Sequence, residues 1–117
     1  MREIKFRAWD QENNQMINWY DTFFYDDSPV TRYSGDFSYI EMPLMQYTGL
    51  KDKNEVEIYE GDIIRSYNEF GEAFEQLSVV EYDVSTGQLK GIDIKYIDYE
   101  EVIGNIYENP DLIKRKI

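Results

Sequence analysis

Across residues 3–9 apolar and polar side chains alternate, placing Ile4, Phe6 and Ala8 on one face and Lys5, Arg7 and Trp9 on the other. A period of two marks a half-buried strand. Residues 10–15 are wholly polar with two Asn and read as a hairpin loop, and residues 16–20 as the returning strand. Over 21–35 the pattern weakens, although Phe23, Phe24 and Tyr25 keep it aromatic. Asp26, Asp27, Ser28 and Pro29 form a turn signal, because Pro fixes φ and short polar side chains bond the local backbone. Residues 37–42 alternate loosely and read as a further strand ended by Pro43.

Residues 44–65 hold the densest run of turn chemistry beside apolar residues. Leu44, Met45, Gln46 and Tyr47 read as a short strand closed by Thr48 and Gly49. Residues 51–55 are a polar turn. Ile58 and Tyr59 return to apolar character before Gly61, which can take a positive φ and turn the chain sharply into the buried strand begun by Ile63 and Ile64. Asp62 is placed to bond backbone amides in that turn. Residues 66–73 read as a polar loop, 74–84 as the longest strand, 85–88 as its hairpin turn and 91–98 as a clearly alternating strand. Residues 101–107 supply a last strand, with Gly104 and Asn105 as a bend. Asn109 as N-cap and Pro110 at the first position begin a short C-terminal helix.

Four blocks carry a resemblance: residues 1–10 (MREIKFRAWD), 44–54 (LMQYTGLKDKN), 58–64 (IYEGDII) and 104–110 (GNIYENP). Together, and in this order, they resemble the YopX family of bacteriophage and prophage proteins. The resemblance implies a mainly β fold with an SH3-type barrel in the second half, and a family without an assigned biochemical role. The expected organisation is an N-terminal β-hairpin and aromatic region over 1–43 and an SH3-like region over 44–117, the two able to pack as a single domain. In that family Gly usually follows the Asn of the central turn, whereas here Asn54 is followed by Glu55 and Val56. Asn-Gly suits a type I′ hairpin. Glu in a left-handed conformation costs on the order of 1 kcal/mol, so the expectation is another turn type with Asn54 alone left-handed.

Composition narrows the chemistry. Eleven Tyr, six Phe and two Trp favour strands and a packed core. The formal net charge of -12 keeps a chain soluble and repels phosphate backbones and anionic membranes. Residues 69–101 alone hold nine acids against two bases, so the excess lies within the fold and not in a tail. Lys114, Arg115 and Lys116 are the one basic cluster, and a solvated tail accounts for them. With no Cys and no His, disulfides, thiolate nucleophiles, zinc sites and the commonest general base are all absent. No apolar run is long enough to span a bilayer and the start lacks a signal-peptide core, so a cytoplasmic location in the host cell is expected.

Candidate sites are few. Glu55, Glu57, Glu60 and Asp62 are the densest carboxylate group, but nothing in their spacing fixes an acid/base pair, and a solvated acidic loop is the better reading. Asp26 and Asp27 as a metal pair fail because adjacent side chains on an extended segment face opposite ways. Asp52 to Glu57 resembles the opening of an EF-hand loop, yet Val56 and Glu57 occupy the positions that need an oxygen ligand and Gly. No cofactor is expected. Trp9, Trp19, Tyr20, Phe23, Phe24, Tyr25, Tyr33, Phe37 and Tyr39 could stack bases, but that region lacks a positive groove, and core or subunit-interface packing is favoured.

The residues singled out, Gly49, Asn54, Gly61, Asp62, Gly104, Asn105, Asn109 and Pro110, are therefore read as structural. The expected function is a non-catalytic accessory protein acting through protein contacts, as a homo-oligomer or with a host or phage protein, without direct nucleic-acid or membrane binding. The alternatives are an acidic decoy for a host nucleic-acid-binding protein and, last, a carboxylate-only metal-dependent hydrolase.

Overall fold

The computed structural model describes residues 5–18, 43–83 and 85–113, together with the backbone of residues 22–25 and 28–31. The described part is mainly β. The chain divides into two compact units, Met1–Tyr47 and Thr48–Ile117.

In the first unit β1 (Phe6–Asp10) pairs antiparallel with β2 (Gln15–Ile17), Ala8 facing Ile17 and Asp10 facing Gln15. Its other edge takes the start of β5 (Leu44–Lys51), with Phe6 opposite Gln46 and Ala8 opposite Leu44. The β1–β2 turn is held by Asp10, whose carboxylate accepts from the Asn13 amide at 3.2 Å and from Asn13 Nδ2 at 2.7 Å. Consecutive residues Ala8, Trp9 and Asp10 are all buried, so β1 is covered on both faces and is not the half-buried strand its alternation suggests. Lys5 is buried as well, its ammonium 4.8 Å from the centroid of the Tyr47 ring, a pairing that keeps a charge tolerable inside. A second hairpin, β3 (Thr22–Tyr25) with β4 (Ser28–Thr31), pairs Tyr25 with Ser28. Asp26, Asp27, Trp19, Tyr20, Tyr33 and residues 37–42 lie outside the described residues.

The second unit contains the far end of β5, β6 (Glu57–Tyr59), β7 (Asp62–Tyr67), β8 (Ala73–Val79), the short pair β9 (Glu81–Tyr82) and β10 (Leu89–Lys90), and β11 (Glu100–Asn105). β7 is the centre of an antiparallel sheet ordered β11-β7-β8. Ile58, Ile64 and Val80 form its core, packed by Leu50, Leu89, Ile92, Ile97 and Val102. Each such side chain removed from water contributes roughly 1.5–3 kcal/mol before chain entropy is charged against it.

Three turns of this unit share one design. At 52–56 the Asp52 amide donates to the Val56 carbonyl at 2.8 Å and Glu55 N–H returns to the Asp52 carbonyl at 3.0 Å. Asp52 Oδ1 accepts from the Asn54 and Val56 amides at 2.8 and 2.9 Å. At 68–72 Asn68 does the same, its Oδ1 accepting from Phe70 and Glu72, both at 2.9 Å, while Gly71 N–H returns to the Asn68 carbonyl at 3.0 Å. One residue longer, the turn at 83–88 opens with Asp83 accepting from Ser85 and ends with Gly87 N–H on the Asp83 carbonyl at 2.7 Å. Each closes on a left-handed residue: Glu55 at φ 65, Gly71 at φ 80 and Gly87 at φ 73. The first two are three-residue hairpin loops in which a tight turn is followed by a left-handed bulge residue. The left-handed position is thus Glu55 and not Asn54, which corrects the expectation from sequence. Asp52 supplies the reason, since its carboxylate binds the amide of Asn54 and fixes that residue in the turn proper.

Other expectations change as well. Gly49 at φ 87 does not end a strand; β5 runs through it to Lys51, because a residue without Cβ can invert φ inside a ladder. Beside it Thr48 Oγ1 donates to the Ile58 carbonyl at 2.7 Å and accepts from the Leu50 amide at 3.1 Å. The polar loop is shorter than 66–73, since Ser66 and Tyr67 belong to β7 and Ala73 to β8. Residues 91–98 are not a strand. Gly91 takes φ 88, Asp93 caps the amide of Lys95 at 3.1 Å, and Ile94–Tyr99 coils as 3-10 turns. A Cβ on Gly91 would lie 2.1 Å from the Val79 carbonyl oxygen, so only glycine permits this approach. The residues that reach the core are Ile92 and Ile97, a spacing of five that no strand face would give. At the C-terminal end the described segment is one 3-10 turn, Pro110–Leu112, with Pro110 in its first turn.

Candidate functional site

The structure accounts locally for each residue the sequence singles out. Gly61, at φ 86, donates to the Val80 carbonyl at 2.8 Å and accepts from the Ile106 amide at 2.9 Å, which joins three segments at one residue. Asp62 is buried and its Oδ2 accepts from the Tyr59 amide at 2.7 Å. Asn54 Nδ2 donates to Glu101 at 3.2 Å. Asn105 Oδ1 accepts from the Tyr107 and Glu108 amides at 3.0 and 2.9 Å. Asn109 makes no side-chain cap of the turn after it; its Oδ1 accepts from the Asn105 amide at 3.2 Å instead. Gly104 makes room for that side chain, because a Cβ there would fall 2.4 Å from Asn109 Oδ1. Ile106 is half-buried. Among the described residues no group of three or more acidic side chains is arranged to hold a metal ion.

A concave surface lies elsewhere in the second unit, where sequence reasoning did not look. It is a groove of about 920 Å³ built on β7 and β8 and walled by the 3-10 turns before β11. It is lined by Ser66, Ser78 and Gln76 and by the aromatic residues Tyr67, Phe74, Tyr96 and Tyr99. Phe74 is 53% exposed, Tyr96 50% and Tyr99 40%. Glu69, Glu75, Asp93 and Glu100 supply carboxylates, and no Lys or Arg lines it. Glu100 is buried and accepts from Ser66 Oγ at 2.6 Å.

Beside the groove Tyr67 donates its hydroxyl to Glu101 at 2.6 Å, and this hydrogen bond to the carboxylate holds the phenol above its ordinary pKa. Two of the rings already carry cations. Lys53 Nζ lies 4.2 Å from the Tyr67 ring centroid and Lys95 Nζ 5.6 Å from that of Tyr96. The signal for this surface is present in the sequence as one large apolar residue, Phe74, at the end of a run of Asn, Glu and Gly. The acidic cluster of 55–62 is not the groove: Asp62 is engaged in its turn and Glu55 is turn geometry.

Fold and groove define a small, mainly β protein with a concave, aromatic and acidic face in its second unit. The YopX protein family matches residues 5–114, and the chain belongs to that family. Its structure is similar to the crystal structure of protein EF1440 from Enterococcus faecalis, with a TM-score of 0.69 and 27% identity over 97% of this chain and 100% of that one. It is also similar to protein yopX from Bacillus subtilis, with a TM-score of 0.55 and 21% identity over 100% of both chains. A search among curated proteins returns no match. Among the described residues no helix is long and apolar enough to cross a membrane.

Proposed function

We propose that the protein is a phage or prophage accessory protein that works without catalysis, by protein contact, and that the groove beside β8 is its contact surface. The observation that supports this reading is the shared exposure of Phe74, Tyr96 and Tyr99 on one concavity. Aromatic rings left in water at a concave face cost free energy that a partner recovers, and such rings dominate binding at protein interfaces. Self-association, supported by the aromatic first third, and an SH3-type arrangement of residues 44–117, supported by its short antiparallel strands, belong to the same reading.

Affinity capture from host lysate compares the wild type with Phe74→Ala/Tyr96→Ala. A set of proteins retained by the wild type and lost by the double variant is the expected result. Identical sets would sink the assignment of contact to this groove. Sizing with light scattering across a concentration series tests self-association, and a constant mass of one chain removes it.

A further inference from the structure

We infer that the groove takes an extended segment of a partner protein that carries Lys or Arg; the inference rests on the contact reading and adds the chemistry of the occupant. Charge is the first ground. Glu69 and Glu75 are exposed at the groove and have no hydrogen-bond or ion-pair partner among the described residues, while the lysines near the groove, Lys53 and Lys95, sit over the Tyr67 and Tyr96 rings. Carboxylates left open beside aromatic rings match a guanidinium or ammonium, which gains a charged hydrogen bond from one and the negative ring face from the other.

The second ground is what the rings already do. Lysines of this chain lie 4.2 Å from the Tyr67 ring and 5.6 Å from the Tyr96 ring, the approach a cation makes to an aromatic face. Phe74 and Tyr99 add further exposed ring surface to the same walls.

The third ground is backbone. Among the described residues β8 is the outer strand of the sheet β11-β7-β8, and Ala73 to Gln76 are exposed along it. An edge strand offers unpaired amides and carbonyls to an incoming strand, whose alternate side chains then point at the groove. A second copy presenting the same face is disfavoured, since it would bring carboxylate against carboxylate between two chains of net charge -12. Nucleic acid is repelled for the same reason.

The test pans a random decapeptide phage-display library on the full chain and measures recovered peptides by fluorescence anisotropy. Four proteins are compared: wild type, Phe74→Ala/Tyr96→Ala, Glu69→Gln/Glu75→Gln, and Glu55→Gln/Glu108→Gln, which removes the same charge outside the groove. Circular dichroism confirms that each variant is folded. Recovered peptides should be rich in Lys and Arg, bind roughly three- to tenfold more weakly to either groove variant, and bind the control within about twofold of wild type.

Peptides without net positive charge that still lose affinity in Phe74→Ala/Tyr96→Ala would overturn the cationic occupant and leave the contact reading standing. Equal losses in the two Glu→Gln proteins would assign binding to the general negative field and overturn the site. Enrichment of no peptide overturns the inference as well, and the capture comparison then decides the contact reading by itself.

Discussion

Replacing Glu55 by Gly should make this protein more stable, although it deletes a side chain and adds no contact. Glu55 sits at φ 65 and closes the turn that Asp52 opens. A non-glycine residue in that region carries a penalty of about 1–2 kcal/mol from Cβ against the backbone. Glycine removes the penalty but gives back roughly 0.5–1 kcal/mol through the greater freedom of its unfolded chain. The net gain is on the order of 0.5–1 kcal/mol. With an unfolding entropy of about 2.1 cal/mol/K per residue over 117 residues, that raises the melting temperature by roughly 2–4 °C.

The molecule provides its own reciprocal. Gly71 occupies the equivalent place in the 68–72 turn at φ 80, and a Cβ there would meet nothing within 4 Å. Gly71→Ala should therefore lose about what Glu55→Gly gains, with backbone conformation as the sole cause. Glu55→Gln separates charge from geometry and should leave the melt nearly unchanged. Thermal unfolding followed by circular dichroism reads all three. If Glu55→Gly melts lower than wild type, or Glu55→Gln reproduces its whole gain, the left-handed turn is not the origin of the effect.

Three further outcomes are expected. Asp52→Ala strands the amides of Asn54, Val56 and Val102, all within 2.9 Å of its oxygens, and should cost about 2–4 kcal/mol in urea unfolding; a loss below about 0.5 kcal/mol would show that water replaces the carboxylate. Gly61→Val should impair folding while Glu60→Gln is nearly silent, and thermal melts with the reverse ranking would return the 55–62 carboxylates to consideration as a functional site. Tyr67 should titrate above its ordinary value of 10.0, and Glu101→Gln should bring it down, as read by NMR of the tyrosine ring carbons. Because its folded pKa is raised, Tyr67 contributes stability that is complete below pH 10.0 and is lost as pH rises through the folded value.

Where sequence and structure agree, a local rule decides the outcome. The hairpin of β1 and β2, the buried Ile63 and Ile64, and the turn at Gly61 were legible because glycine, asparagine and strict alternation each leave few choices, whereas the bend expected at Gly104 is an irregularity inside β11. The strand expected over 91–98 failed because alternation in Ile92, Ile94 and Tyr96 coincides by chance with period two. Asp93 captures the Lys95 amide and starts 3-10 turns, which leaves Ile94 61% exposed. Of the groove only Phe74, a large apolar residue beside a polar run, was legible. The groove gathers residues from β7, β8 and the segment before β11, and only pairing that follows no sequence rule brings Phe74 to Tyr96 and Tyr99.

One hydrogen bond bears on how the chain is made. Asp52 Oδ2 reaches the amide of Val102, fifty positions later, at 2.9 Å, and β11, made after every other described strand, pairs with the central β7. Until residues 100–105 emerge, a nascent β7 has β8 on one side and an open edge on the other, while the Asp52 turn lacks one of its partners. That interval exposes Ile63 and Ile64 beside an unpaired strand. A chain truncated before residue 100 should hold a second unit that chaperones bind and proteases cut, and a chain that retains residues 100–105 should resist both.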